Sequence, residues 1–119
     1  MSIEQTNVVD FYSIDRKSGE VLLSISDHLP WKKGTREEGE HLFLLQEKIN
    51  AYLRFTESGE IFERFPNARD RKIVINLVGK YPLSEQATIL FRKMKEFLKS
   101  AGYELRFEHM PQGEAEKKK

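Results

Sequence analysis

The sequence lacks cysteine altogether, and its 119 residues include only four prolines and one tryptophan. Without cysteine there is no disulfide framework, no cysteine-type zinc site and no thiol nucleophile. A net charge of one sign is also missing, since 20 Lys and Arg stand against 19 Asp and Glu. That balance excludes a protein whose function is simply to be basic or acidic. Long hydrophobic runs are absent as well. Leu42-Phe43-Leu44-Leu45 falls far below the roughly 18 residues that span a bilayer. The stretch Met1 to Asn7 shows no basic segment followed by an apolar one, and neither end carries a lipidation pattern. A cytoplasmic location without a membrane partner is the expectation. The length suits one domain, which can bury roughly two-thirds of its unfolded surface without a metal or disulfide.

What is present is a regular alternation of element signals. Residues 1–7 read as a flexible polar arm, 8–110 as a single domain and 111–119 as a disordered charged tail. Val8 to Ile14 is rich in β-branched and aromatic residues. Asp15 to Glu20 is turn chemistry, and Val21, Leu23 and Ile25 then alternate with Leu22, Ser24 and Ser26. Those two runs predict a hairpin. Residues 27–40, with Pro30, Gly34 and Gly39, are expected to form a long loop. Leu42, Leu45, Ile49, Tyr52 and Leu53 recur at helical spacing, with Gly59 as terminator. Ile61 to Asp70 predicts a short helical turn or irregular segment. Residues 71–78 predict an interior strand, apolar on both faces. A second helix runs from an N-cap at Ser84 to a terminating Gly102, with Ala87, Leu90, Phe91, Met94, Phe97, Leu98 and Ala101 as its apolar stripe. A last strand points Tyr103, Leu105 and Phe107 inward. The order β-β-α-β-α-β predicts an α+β fold of two layers: a four-stranded mixed sheet with two helices on one face.

Candidate chemistry concentrates at the end of the second strand, in Ser26-Asp27-His28-Leu29-Pro30-Trp31. Asp27 and His28 could supply a base with an orienting carboxylate, and Trp31 a stacking surface, with His41 close by in sequence. Sequence neighbours in extended backbone point opposite ways, so Asp27 and His28 meet only through a turn. The same residues have a structural reading: Asp27 caps the turn, His28 is exposed, and Trp31 folds over the core edge. A metal reading recruits His28, Glu40 and His41 with Asp27, but it lacks a helical ligand pair. No cofactor motif is present. Gly79-Lys80 lacks the other residues of a phosphate loop, and no Gly-x-Ser-x-Gly elbow exists. Arg92, Lys93, Lys95 and Lys99 make a basic stripe on the second helix, diluted by Glu85 and Glu96. Nucleic acid is the weaker expectation for that stripe, because stacking aromatics do not accompany it.

Val9-Asp10, Ile14-Asp15, Gly19-Glu20, Ser26-Asp27-His28-Leu29 with Trp31, Leu45-Gln46-Glu47-Lys48-Ile49-Asn50-Ala51-Tyr52, Ser58-Gly59-Glu60-Ile61, Phe65-Pro66 and Lys80-Tyr81-Pro82 together resemble a family of small bacterial proteins of uncharacterised function. The resemblance covers roughly residues 8 to 108. It implies a shared pattern around Asp27, His28 and Trp31 and around Asn50 and Tyr52, with no activity or cofactor attached.

With a full set of fold signals and no assembled catalytic constellation, the leading expectation is a non-enzymatic interaction module. It would bind a protein partner, or itself, through a sheet face or edge and the 27–40 loop. The alternative is a small enzyme or ligand-binding protein built on Asp27, His28, Trp31 and His41. Charge is unevenly distributed along the chain. Residues 1–66 hold 8 basic and 12 acidic side chains, and residues 67–110 hold 9 and 5.

Overall fold

Apolar alternation builds the sheet. In the computed structural model, which describes Ile3 and residues 11–111, β1 spans Phe11–Ile14 and β2 spans Val21–Asp27. They pair antiparallel, from Ile14 opposite Val21 to Phe11 opposite Ser24. The turn between them is fixed by Asp15, whose carboxylate accepts from the Lys17 N–H and the Ser18 hydroxyl, and by Gly19 at φ 77°. The first strand's expected beginning at Val8 lies outside the described residues. So does the expected 1–7 arm, except Ile3, which is buried and donates its N–H to Ser26 O at 3.0 Å. The expected charged tail also lies outside, apart from Pro111.

β3 (Ile73–Gly79) pairs parallel with β2, and β4 (Glu104–His109) parallel with β3, giving the order β1-β2-β3-β4 in a mixed sheet. The register aligns apolar rows across the strands. Leu23 lies beside Ile75 and Ile75 beside Leu105, and in the next row Ile25 lies beside Leu77 and Leu77 beside Phe107. One face of the sheet is thereby committed to the core.

Each parallel connection passes through a helix: α1 (Arg36–Glu57) between β2 and β3, and α3 (Glu85–Ser100) between β3 and β4. Between α1 and β3 lie a short helix, α2 (Glu60–Arg64), and a 3-10 turn over Pro66–Ala68. Leu45, Ile49, Tyr52 and Leu53 of α1 and Phe91, Met94 and Leu98 of α3 join the inward sheet row in one continuous core, so both helices cover the same face. Burial of each such side chain stabilises by about 1.5–3 kcal/mol. The two expected long helices are present, with Ser84 as N-cap and Gly102 at φ 95°. The short helical turn expected between residues 61 and 70 is α2 with the 3-10 turn.

The 27–40 loop expectation is corrected. Asp27 ends β2, and α1 already begins at Arg36, so the connection is only residues 28–35. Thr35 caps the helix by accepting from the Glu38 N–H, which outweighs the helix-weakening Gly39 in the first turns.

On the sheet face away from the helices, Glu104 receives Lys72 Nζ at 2.6 Å and Arg106 Nε, while Arg106 also reaches Glu20 at 3.2 Å. The hydrogen bond from Arg106, then that from Lys72, holds the Glu104 carboxyl down to about 2. Because folding lowers this value, the stabilisation is complete above the ordinary carboxylate range and is lost as pH falls toward about 2. Urea denaturation across that acid window should therefore show a shallower loss of stability for Glu104→Gln than for the parent chain. Identical slopes would contradict the network's role.

Candidate functional site: a buried Asp27–His41–Trp31 clasp

Alternation along β2 puts Asp27 on the same side as Val21, Leu23 and Ile25, so its carboxylate enters the core edge instead of solvent. Asp27 and His41 are each only 3% exposed. His41, in the second turn of α1, meets the carboxylate with Nε2 2.7 Å from Oδ2. The other carboxylate oxygen accepts from the Leu29 N–H at 3.1 Å, and His41 Nδ1 lies 3.2 Å from Pro30 O. Trp31 closes over the imidazole, its ring stacked 3.4 Å away between centroids at an interplanar angle of 8°. Strand end, loop and helix start are thus tied together by one histidine.

Proton bookkeeping follows from the partners. A backbone carbonyl can only accept, so Nδ1 donates to Pro30. One further proton lies between Nε2 and Oδ2, whichever atom holds it. Both ring nitrogens are engaged, and neither presents a lone pair to a substrate. A general base needs such a lone pair within about 3 Å of the proton it removes.

Of the residues singled out in the sequence, Asp27, Trp31 and His41 come together. His28 is exposed on the loop. Glu40, recruited by the metal reading, is exposed and pairs with Arg36 at 3.3 Å. No three His, Cys, Asp or Glu side chains cluster at metal-holding distance among the described residues. Tyr52 is fully buried and donates its hydroxyl to Ser24 O at 2.7 Å, while Asn50 is half-buried.

Two buried charged residues escaped sequence reasoning. Glu38, 5% exposed, accepts from the Ser84 hydroxyl at 2.7 Å and from the Gly34 N–H at 2.9 Å. The Ser84 bond first, then the Gly34 bond, hold its carboxyl below the usual range. Glu38 thereby joins the start of α1 to the N-cap of α3. The signal was Thr35-x-x-Glu38, the spacing of a capping box, although here the glutamate reaches Gly34 instead of the cap residue's own N–H. Lys48 is fully buried, with Nζ 5.6 Å from the Tyr52 ring centroid. Its position between Leu45 and Tyr52, at core spacing, was the available clue.

Beside the clasp lies a cleft of about 250 Å³ lined by Leu29, Pro30, Lys32, Glu37, Glu40, His41 and Leu44. It is smaller than the roughly 300–1,000 Å³ of ordinary small-molecule pockets.

These features define a small α+β domain in which two parallel crossover helices cover one face of a mixed four-stranded sheet, pinned at one end by a buried histidine clasp. The chain belongs to a family of unknown function, DUF6572, whose family model matches residues 1–111. No curated protein and no solved structure matches it. No helix among the described residues is long and apolar enough to cross a membrane.

Removing the carboxylate strands a buried imidazole. Asp27→Ala should cost about 1–3 kcal/mol in chemical denaturation, whereas Lys33→Ala in the same loop should stay within about 0.5 kcal/mol. Equal, small losses would show that the clasp carries no structural weight.

Proposed function

We propose that this chain is a non-enzymatic protein-interaction domain whose contact surface is the outer face of α1 and α3, with the clasp serving as its framework. One observation carries the surface: where the large apolar side chains stand in solvent. Of the four exposed among the described residues, three are on these two helices, Phe43 at 62%, Ile89 at 46% and Phe97 at 57%, and the fourth, Tyr81 at 38%, lies before α3. Phe43 and Ile89 flank a groove of about 380 Å³ between the helices, lined also by Leu42, Gln46, Leu90 and Lys93. Apolar surface left exposed in one patch is the usual mark of a protein contact.

The committed nitrogens of His41 support a structural role for the clasp over proton transfer. The loop of residues 28–35 is held down by that clasp, which favours the helix layer over the loop as the contact surface. Small-molecule binding in the cleft beside His41 is less favoured, because of the cleft's size.

Photo-cross-linking in a native lysate tests this. Phe43 and Ile89 are replaced in turn by p-benzoylphenylalanine, with Ser18 in the hairpin turn as control. Protein adducts from positions 43 and 89, absent from position 18, are expected. No adduct at either helix position, including with the chain itself, would overturn the proposal.

A further inference from the structure

We infer that the partner of the α1–α3 face is a second copy of this chain, joined about a two-fold axis that runs along the helices. The inference rests on the interaction reading above and names the partner it leaves open. Each helix links two neighbouring parallel strands, so α1 and α3 run in the same direction. The Ser84–Glu38 bond sets them level. Phe43 and Ile89 lie five residues beyond that bond on their respective helices, and Glu47 and Lys93 nine.

Two symmetric face-to-face arrangements are open to such a layer. An axis across the helices would lay α1 on α1 and α3 on α3. An axis along them lays α1 of one copy on α3 of the other. Charge decides between them. On α1 the exposed Glu37, Glu40 and Glu57 and the half-buried Glu47 outnumber the exposed Arg36 and Arg54; on α3 the exposed Arg92, Lys93, Lys95 and Lys99 outnumber Glu85 and Glu96. Stacking like on like opposes charges of one sign, whereas the lengthwise axis sets the acidic helix over the basic one. With the helices level, that axis brings Phe43 against the second copy's Ile89 and Glu47 against its Lys93. Symmetry repeats both contacts.

The size of the face sets the strength. A 16-residue helix is about 24 Å long, and two packed helices are about 20 Å across, so pairing buries roughly 1,000 Å² in total. That lies at the lower bound for specific interfaces, so the dimer is reversible and concentration-dependent.

Sedimentation velocity of the full chain, from micromolar to near-millimolar concentration, reads it directly. The expected result is a shift from monomer to dimer. Ile89→Asp should raise the dissociation constant roughly tenfold or more. Glu47→Lys and Lys93→Glu should each raise it by roughly 3–10-fold, and combining the two in one chain should restore the parent value. Circular dichroism confirms that each variant keeps its fold, and Phe43→Ser replaces any that does not. A dimer indifferent to Ile89→Asp and to the charge exchange would overturn the assignment of this face. A chain that stays monomeric while positions 43 and 89 still cross-link to other proteins would overturn self-association and leave the interaction reading standing. A monomer that also forms no cross-link would defeat both.

Discussion

The structure turns on the 2.7 Å contact between Asp27 and His41. It joins the last residue of a central strand to the second turn of the helix that follows, and it does so where water is excluded. A buried hydrogen-bonded pair adds little net stability, because the desolvation of both groups offsets their attraction. Its effect is selective. Any placement of α1 that separates the two side chains leaves a polar group buried without a partner, so competing placements are penalised far more than the native one is rewarded. The Leu29 N–H, the Pro30 carbonyl and the Trp31 ring complete the set, and each comes from the loop being positioned.

Farther along the same edge the constraint is passed on. Glu38 lies one turn before His41 on α1 and takes its hydrogen bonds from Gly34 and from the α3 cap residue, Ser84. Gly79 closes that end of β3, where an added Cβ would come within 2.9 Å of the Phe107 ring. Lys80, next in the chain, donates its N–H to Asp27 O at 2.9 Å. The ends of β2 and β3 and the starts of both long helices therefore meet in one hydrogen-bonded belt. That belt makes the outer face of α1 and α3 a fixed surface, with Phe43 and Ile89 at set positions.

Legibility in the sequence followed the range of the interaction. Strand alternation, the α3 stripe, the Ser84 cap and the terminating Gly102 are local signals, and each was readable from a few neighbouring residues. The start of α1 was not read correctly: the charged, glycine-containing run from Lys32 to Glu40 looks like loop, and the Thr35-x-x-Glu38 spacing that contradicts this is brief. The candidate site was half legible. Asp27 and Trp31 stood out by residue type, but the obvious partner, His28, is a sequence neighbour that extended backbone turns away. The actual partner, His41, is fourteen residues on. Only a helix beginning at Arg36 brings it back over the strand end, so misplacing that start hid the pairing. Buried Lys48 shows the same limit, since a charged residue at core spacing is indistinguishable by type from a solvated one.

The state of the His41 ring tests this account most directly. Nitrogen-detected NMR of the full chain, with a free histidine peptide as the reference, reports which ring nitrogens carry protons and how fast those protons exchange. A clasped ring gives two hydrogen-bonded protons, one at Nδ1 and one shared between Nε2 and Asp27, both protected from exchange while the chain stays folded. A His41 nitrogen that is bare, or that exchanges with water as fast as those of the free peptide, would contradict it and return the site to the candidates for catalysis.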